Sequence, residues 1–209
     1  MTEKLSEYHQ QVAQEKRRSI LAAATGLFLE AGYDRTSLAK IADAAGVSRA
    51  TLFKQFPTKA ELFDAMVGEF WQIDDAGMLE PPTGDLASGL RALGTRYVQI
   101  LTRPDMVSLF RIVIAEAPRF PELGRTQFTL GKEPFFDSVR SYLEAERDAG
   151  VASIADTTTA ATQFLAMIAD FAFWPRMLLI DWSPTEEAVA AAVDEAVATM
   201  LARYAAPVG

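Results

Sequence analysis

The residues most able to do chemistry in this 209-residue chain lie in one short stretch, RATLFKQ at 49–55, opened by Ser48 and closed by Phe56-Pro57. Arg49, Thr51, Lys54 and Gln55 are the side-chain types that read the edges of base pairs. Arginine forks onto guanine, glutamine pairs with adenine, and a threonine methyl touches that of thymine. Phosphate contacts add affinity and register without sequence information. Thr36, Ser48 and Lys59 sit at helix starts, where free N–H groups and the positive dipole end favour an anion. Lys40 joins them, and Lys16 belongs to a basic run, Lys16-Arg17-Arg18, at the head of the first long helix.

Catalysis finds little material. His9 is the only histidine and there is no cysteine, so a Ser/His/Asp relay, a thiolate nucleophile and a His- or Cys-based metal site are not expected. Gly26 and Gly32 do not form a phosphate-cradling glycine loop. The pairs Asp74-Asp75, Glu186-Glu187 and Asp194-Glu195 read as solvated helix faces. The chain is expected not to be an enzyme and to carry no cofactor or metal.

The elements that must hold the 49–55 stretch are legible on either side. Ile20, Ala23, Ala24, Leu27, Phe28 and Ala31 recur at helical spacing and end at Gly32. Thr36 or Ser37 caps a short second helix with Leu38, Ile41, Ala42 and Ala45 on one face, stopped by Gly46. Ser48 caps a third, whose Leu52 and Phe56 face one way. Thr58-Lys59-Ala60-Glu61 is a capping box opening a fourth helix through Leu62, Met66, Phe70 and Ile73. Two short helices joined at a glycine, with an apolar inner face and polar outer residues, make a helix-turn-helix over 36–56. On spacing alone such a pair is also an ordinary helical corner.

Beyond a Pro/Gly-rich loop at 77–85, helices are expected at 86–102, 104–116, 121–149, 156–181 and 184–204, the last opened by a capping box at Ser183-Pro184-Thr185-Glu186. Sustained strand alternation is missing, so the fold class is all-α. The organisation read from the chain is a flexible arm at 1–14, a DNA-binding domain at 15–60 and a ligand-binding and dimerisation domain at 61–209. The net charge of −8 divides unevenly: residues 1–67 carry nine Lys/Arg against eight Asp/Glu, and residues 68–209 carry eleven against twenty. Screening beyond about 8 Å lets a locally basic face meet phosphates despite an acidic body. The polar N-terminus and the lack of cysteine point to the cytoplasm, and no apolar run reaches the roughly 20 residues of a membrane span.

Lys16 and the segment RRSILAAATGLFLEAGYDRTSLAKIADAAGVSRATLFKQFPTKAELFDAMV, 17–67, resemble the DNA-binding region of the tetracycline-repressor (TetR) family. The resemblance rests on A-A-x-x-L-F-x-E-x-G-Y, on T-S-L-x-x-I-A-x-x-A-G-V-S, and on L-F-x-x-F-P-x-K-x-E-L-F. It implies a homodimer with two reading heads on double-stranded operator DNA, and a C-terminal body whose small effector relieves repression. Two positions depart from the family pattern. Phe53 stands where a phosphate-binding tyrosine is common, so that it packs or contacts sugar instead, and Gln55 stands where histidine is common.

The aromatics Trp71, Tyr97, Phe110, Phe171 and Trp174 are candidates to line a pocket for an apolar or aromatic effector, the alternative being core filling. Ala160, Ala161, Leu165 and Ile168, with Val189, Ala192, Val193, Ala196, Val197 and Met200, suit either the chain's own core or a twofold partner packed on the last two helices. The alternative to a regulator is a helical ligand-binding or enzymatic protein with a vestigial head.

Overall fold

A computed structural model describes residues 2–71 and 81–207, with side chains from residue 11 onward. Ile73 and residues 77–80 of the expected loop lie outside the described residues. The elements are α1 (Thr2–Ala31), α2 (Leu38–Ala44), α3 (Arg49–Gln55), α4 (Lys59–Trp71), α5 (Leu86–Leu101), α6 (Pro104–Glu116), α7 (Pro121–Thr126), a π-helical turn (Gln127–Lys132), α8 (Glu133–Asp148), α9 (Thr157–Ala172), α10 (Trp174–Leu178) and α11 (Glu186–Tyr204). Among the described residues the only β pairing is a single bridge, Ala152 to Ala205, and the protein is all-α.

The chain forms two compact units. The first is Met1–Phe70 with Ser108–Leu130; the second is Trp71–Val107 with Gly131–Gly209. All three boundaries fall inside helical segments: α4, α6 and the π-helical turn.

In the first unit Ile20, Leu21, Ala24 and Phe28 of α1 are buried together with Ile41, Ala42, Leu52 and Phe56. Neither α2 nor α3, at seven residues each, is long enough to persist alone. Burial of Leu52 at 0% and Phe56 at 2% exposure is what makes α3 a helix. Tyr33 is the hub: its ring lies 5.0 Å from that of Phe28, 5.9 Å from Phe63 and 5.2 Å from Phe120. The end of α6 joins this unit because the Glu116 carboxylate accepts the Tyr33 N–H at 2.8 Å, and Arg119 pairs with Asp34 at 2.7 Å. Gly32, at φ 84°, supplies the left-handed stop of α1, and a Cβ there would stand 2.6 Å from Glu116 Oε1.

In the second unit α5, α8, α9 and α11 pack as a four-helix bundle. Tyr97 stacks on Phe135, and the Tyr142 hydroxyl donates to the Asp85 carbonyl at 2.9 Å. Glu146, fully buried, accepts the Gly84 N–H at 3.0 and 3.2 Å through its two oxygens and so ties down the segment before α5.

Several expectations are corrected. An arm was expected to residue 14, but α1 begins at Thr2, since no glycine or proline precedes Gly26 to interrupt it. The expected helix 121–149 is three pieces, with the π-helical turn inserted between α7 and α8. The expected helix 156–181 stops at Ala172 and restarts as α10 around Pro175, which lacks the N–H an unbroken helix would need. The cap of α11 is Thr185, accepting from the Ala188 N–H at 3.2 Å, and not Ser183. Among the described residues no helix is long and apolar enough to cross a membrane.

Candidate nucleic-acid interface

The α2–α3 corner is set by local hydrogen bonds. Ser37 caps α2, its hydroxyl accepting from the Lys40 N–H at 3.3 Å. Gly46, at φ 66°, turns the chain, and the Val47 N–H returns to the Ala42 carbonyl at 3.1 Å. Ser48 caps α3, accepting the Thr51 N–H at 3.1 Å and sharing a 2.8 Å hydrogen bond with the Thr51 hydroxyl. With the corner closed and Leu52 and Phe56 inward, the helical repeat turns Arg49, Ala50, Phe53 and Lys54 outward.

The structure brings five of the candidate residues onto open surface of this corner: Arg49, Phe53 and Lys54 on α3, its cap Ser48, and Lys40 on α2. Arg49 lies 3.6 Å from Asp43, and both side chains are about two-thirds exposed, so this ion pair is weak and easily exchanged for an anion. Phe53 keeps 46% of its surface exposed and has no hydroxyl to offer. Thr51 and Gln55 occupy the flank of α3, both half-buried, and Gln55 Oε1 is buried without a hydrogen-bond partner. Lys16 is exposed on α1, and beside it the Arg17 guanidinium lies 4.9 Å from the centre of the Phe56 ring. Ala50 was missed by a search for polar readers. Its signal was the i, i+4 spacing to Lys54, which puts its methyl on the same face.

Two assignments are corrected. Thr36 is 1% exposed, and its hydroxyl donates inward to the carbonyls of Gly32 at 2.9 Å and Leu27 at 3.2 Å. It cannot meet a phosphate; its neighbour Ser37 is the exposed cap. Lys59 turns its ammonium back onto the α1–α2 turn, donating to the carbonyls of Tyr33 (2.6 Å), Asp34 (3.2 Å) and Thr36 (3.0 Å) over the Tyr33 ring. All three of its donors are spent. Burial lowers its pKa, opposed by the charges of Asp34 and Glu116.

The five aromatics do not behave as one set. Tyr97 is buried against Phe135, its phenol pKa pushed up to about 12 by desolvation. Phe171 is half-buried, edge-on to Trp182 at 5.9 Å, while Trp174 remains 48% exposed beside Phe173. Trp71 is half-buried, with its indole against the Gly131 backbone and its buried Nε1 unpartnered. Phe110 is half-buried on α6. Two clefts of the second unit are lined by other residues. One, of about 470 Å³, lies between α9 and α11 and includes Gln163, Ala166, Met167, Thr199 and Arg203. The other, of about 500 Å³, includes Thr95, Val98, Thr102, Arg176 and Val189. Among the described residues no group of three or more His, Asp or Glu is placed to hold a metal.

The small residues of the last long helices are resolved as core. Ala160, Ala161, Leu165 and Ile168 of α9 and Val193, Ala196, Val197 and Met200 of α11 are all buried within the chain itself, and Val189 and Ala192 are half-buried.

Residues 20–66 match the family described as bacterial regulatory proteins, tetR family, and residues 88–206 match the C-terminal domain of AefR-like transcriptional repressors. The HTH-type transcriptional regulator YvkB of Bacillus subtilis (strain 168) is 31% identical over 113 residues, which cover 50% of this chain and 59% of that protein. A TetR-family regulator from Mesorhizobium loti MAFF303099 superposes with a TM-score of 0.76 at 29% identity, over 92% of this chain and 98% of the other. The flavonoid-responsive regulator FrrA superposes with a TM-score of 0.68 at 31% identity, over 91% and 97%.

Proposed function

The chain belongs to the TetR family of DNA-binding transcriptional regulators, and from that premise we propose that it is a homodimeric repressor released from its operator by a small, largely apolar effector. The observation that carries this reading is the outward face of α3, where Arg49, Ala50, Phe53 and Lys54 stand on a helix held by buried Leu52 and Phe56. Arg49 and Lys54 read base edges in the major groove, and the Ala50 methyl is suited to that of thymine. Thr51 and Gln55 flank them. Lys40, Ser37 and Ser48 meet the phosphate backbone, with Lys16 on the exposed side of α1, midway along the helix. In a dimer, two such heads occupy half-sites about 34–36 Å apart.

The partner surface belongs to the outer side of the bundle, because the inner side is already filled. Gln163, Ala166 and Met167 of α9 and Ala192, Thr199 and Arg203 of α11 line up there at helical spacing; the short Ala166, Ala192 and Thr199 let two helices approach closely, and the longer Gln163, Met167 and Arg203 flank them.

The effector reading draws on the family and on FrrA, whose name states a response to flavonoids. An effector releases DNA only if it binds the released conformation more tightly than the DNA-bound one. α4, which runs from Lys59 to Trp71, is the proposed lever. The test is operator affinity by fluorescence anisotropy, using DNA from upstream of the gene and random DNA of equal length, with and without saturating flavone. Specific binding that weakens with flavone supports the whole reading. Binding no tighter than to random DNA contradicts the regulator, and unchanged affinity contradicts induction by that compound.

A further inference from the structure

The π-helical turn Gln127–Lys132 turns Gln127 and Gly131 inward and leaves Phe128, Thr129 and Leu130 outside. Gln127 is 5% exposed, and neither atom of its carboxamide, Oε1 or Nε2, has a hydrogen-bond partner. The two other fully buried polar residues described in the first unit are satisfied, Thr25 donating to the Leu21 carbonyl and Thr36 to those of Gly32 and Leu27, and half-buried Gln55 lacks a partner at its Oε1 alone. The residue before Gln127 is satisfied too, Thr126 donating to Asp64 at 2.8 Å. Buried polar groups are paired almost everywhere in proteins, so an amide unpaired at both ends calls for a ligand or for trapped water. Its position supplies the second observation, because π-turns inside helical segments concentrate at functional sites.

Building on the effector reading above, we infer that Gln127 is a polar contact of the effector site, and that the effector is a neutral molecule presenting a donor beside an acceptor, such as a hydroxyl next to a carbonyl. The carboxamide N–H donates to the ligand carbonyl, and the carboxamide oxygen accepts from the ligand hydroxyl. Neutrality follows from burial, since an ionic ligand would need an opposite charge in the same place and an amide has none. This makes the effector less purely apolar than the sequence led one to expect. A site built to satisfy such a pair discriminates strongly against a ligand that lacks one member of it.

Two probes that differ by one hydroxyl test this on the full chain: 3-hydroxyflavone, with adjacent hydroxyl and carbonyl, and flavone. Affinities are measured by calorimetry for the wild type, Gln127→Met and Gln127→Asn, with thermal unfolding as a check on folding. The wild type is expected to prefer 3-hydroxyflavone at least tenfold. Gln127→Met is expected to bind the two alike and to melt no lower than wild type, since the unpaired amide is gone. Gln127→Asn, one methylene shorter, loses most of the preference and decides the matter if the methionine variant does not fold. Equal binding of the probes by the wild type, binding of neither, or a preference that survives both substitutions overturns the assignment, and trapped water then accounts for the amide. Operator release followed in the same titrations separates this from induction. Release by both probes without preference removes the Gln127 contact and leaves induction standing; Gln127-dependent binding without release does the reverse.

Discussion

At the scale of single residues, the chemistry of a side chain and its destination separate most clearly at Lys59. A lysine at a helix start reads as a phosphate ligand, yet its ammonium closes on three backbone carbonyls of the α1–α2 turn. Hydrogen bonds from a charged donor contribute about 1.5–3 kcal/mol each at best, and partial solvent access reduces that here. Lys59→Met should therefore lower the melting temperature of the head clearly, while the salt dependence of DNA binding by the folded protein stays as it was. A phosphate ligand would do the opposite, preserving stability and reducing the salt slope by about one. Thr36 teaches the same lesson. Sequence gives a hydroxyl beside another hydroxyl, and which of Thr36 and Ser37 turns inward depends on where the carbonyls of Leu27 and Gly32 come to lie. Arg49, Lys54 and the inward Leu52 and Phe56 were readable because helical periodicity alone assigns their faces.

At the scale of elements, caps were readable where one candidate stands alone, as at Ser48 and Thr58, whereas Ser37 beside Thr36 and Thr185 beside Ser183 were settled only by the fold. Asp156 and Asp85 cap α9 and α5 in the same way. Asp156 accepts the Thr158 and Thr159 N–H groups at 2.9 and 3.1 Å and the Thr159 hydroxyl at 2.6 Å. Those bonds, the Thr159 hydroxyl foremost, hold its carboxyl below its usual pKa, and Ser88 does the same for Asp85. The sign follows: a carboxylate depressed in the fold contributes stability above its unfolded pKa and loses it as pH falls through the folded value. Asp156→Asn, which keeps a capping oxygen without the charge, should flatten part of the acid limb of thermal stability measured between pH 6 and pH 3. Asp156→Ala should lower stability across the whole range. The breaks at 127–132 and at Phe173 were not legible, because Gly131, Pro134 and Pro175 announce an interruption without saying whether it becomes a loop, a π-turn or a new helix.

At the scale of the whole molecule, sequence shows that the last long helices carry small apolar residues but not which side each faces. Most of the residues noticed first, among them Ala160, Ile168, Val197 and Met200, turn out to fill the chain's own core. The proposed partner surface is the less apolar outer face. Ala166→Arg on that face introduces a charge where two copies would meet, and it is exposed in the single chain, so folding should survive. Sedimentation should show a shift from dimer to monomer with unchanged helicity, and the half-site pair should be bound far more weakly. A dimer as stable as wild type would move the interface elsewhere. The charge asymmetry is compatible with the proposed division: the N-terminal third is near neutral and carries the cations of the α2–α3 corner, and the acidic remainder is where pairing and sensing are proposed.

The central claim is that the outer face of α3 reads a DNA sequence. Selection of bound sequences from a random pool by the wild type, followed by affinities of wild type, Arg49→Ala and Lys54→Ala for the selected and for random DNA, tests it most directly. The expected result is a palindrome with half-sites about one helical turn apart, and a loss of about 1–3 kcal/mol on the selected sequence that is not matched on random DNA for whichever of the two residues reads a base. A pool that yields no enriched sequence, or two substitutions that weaken selected and random DNA equally, would contradict it.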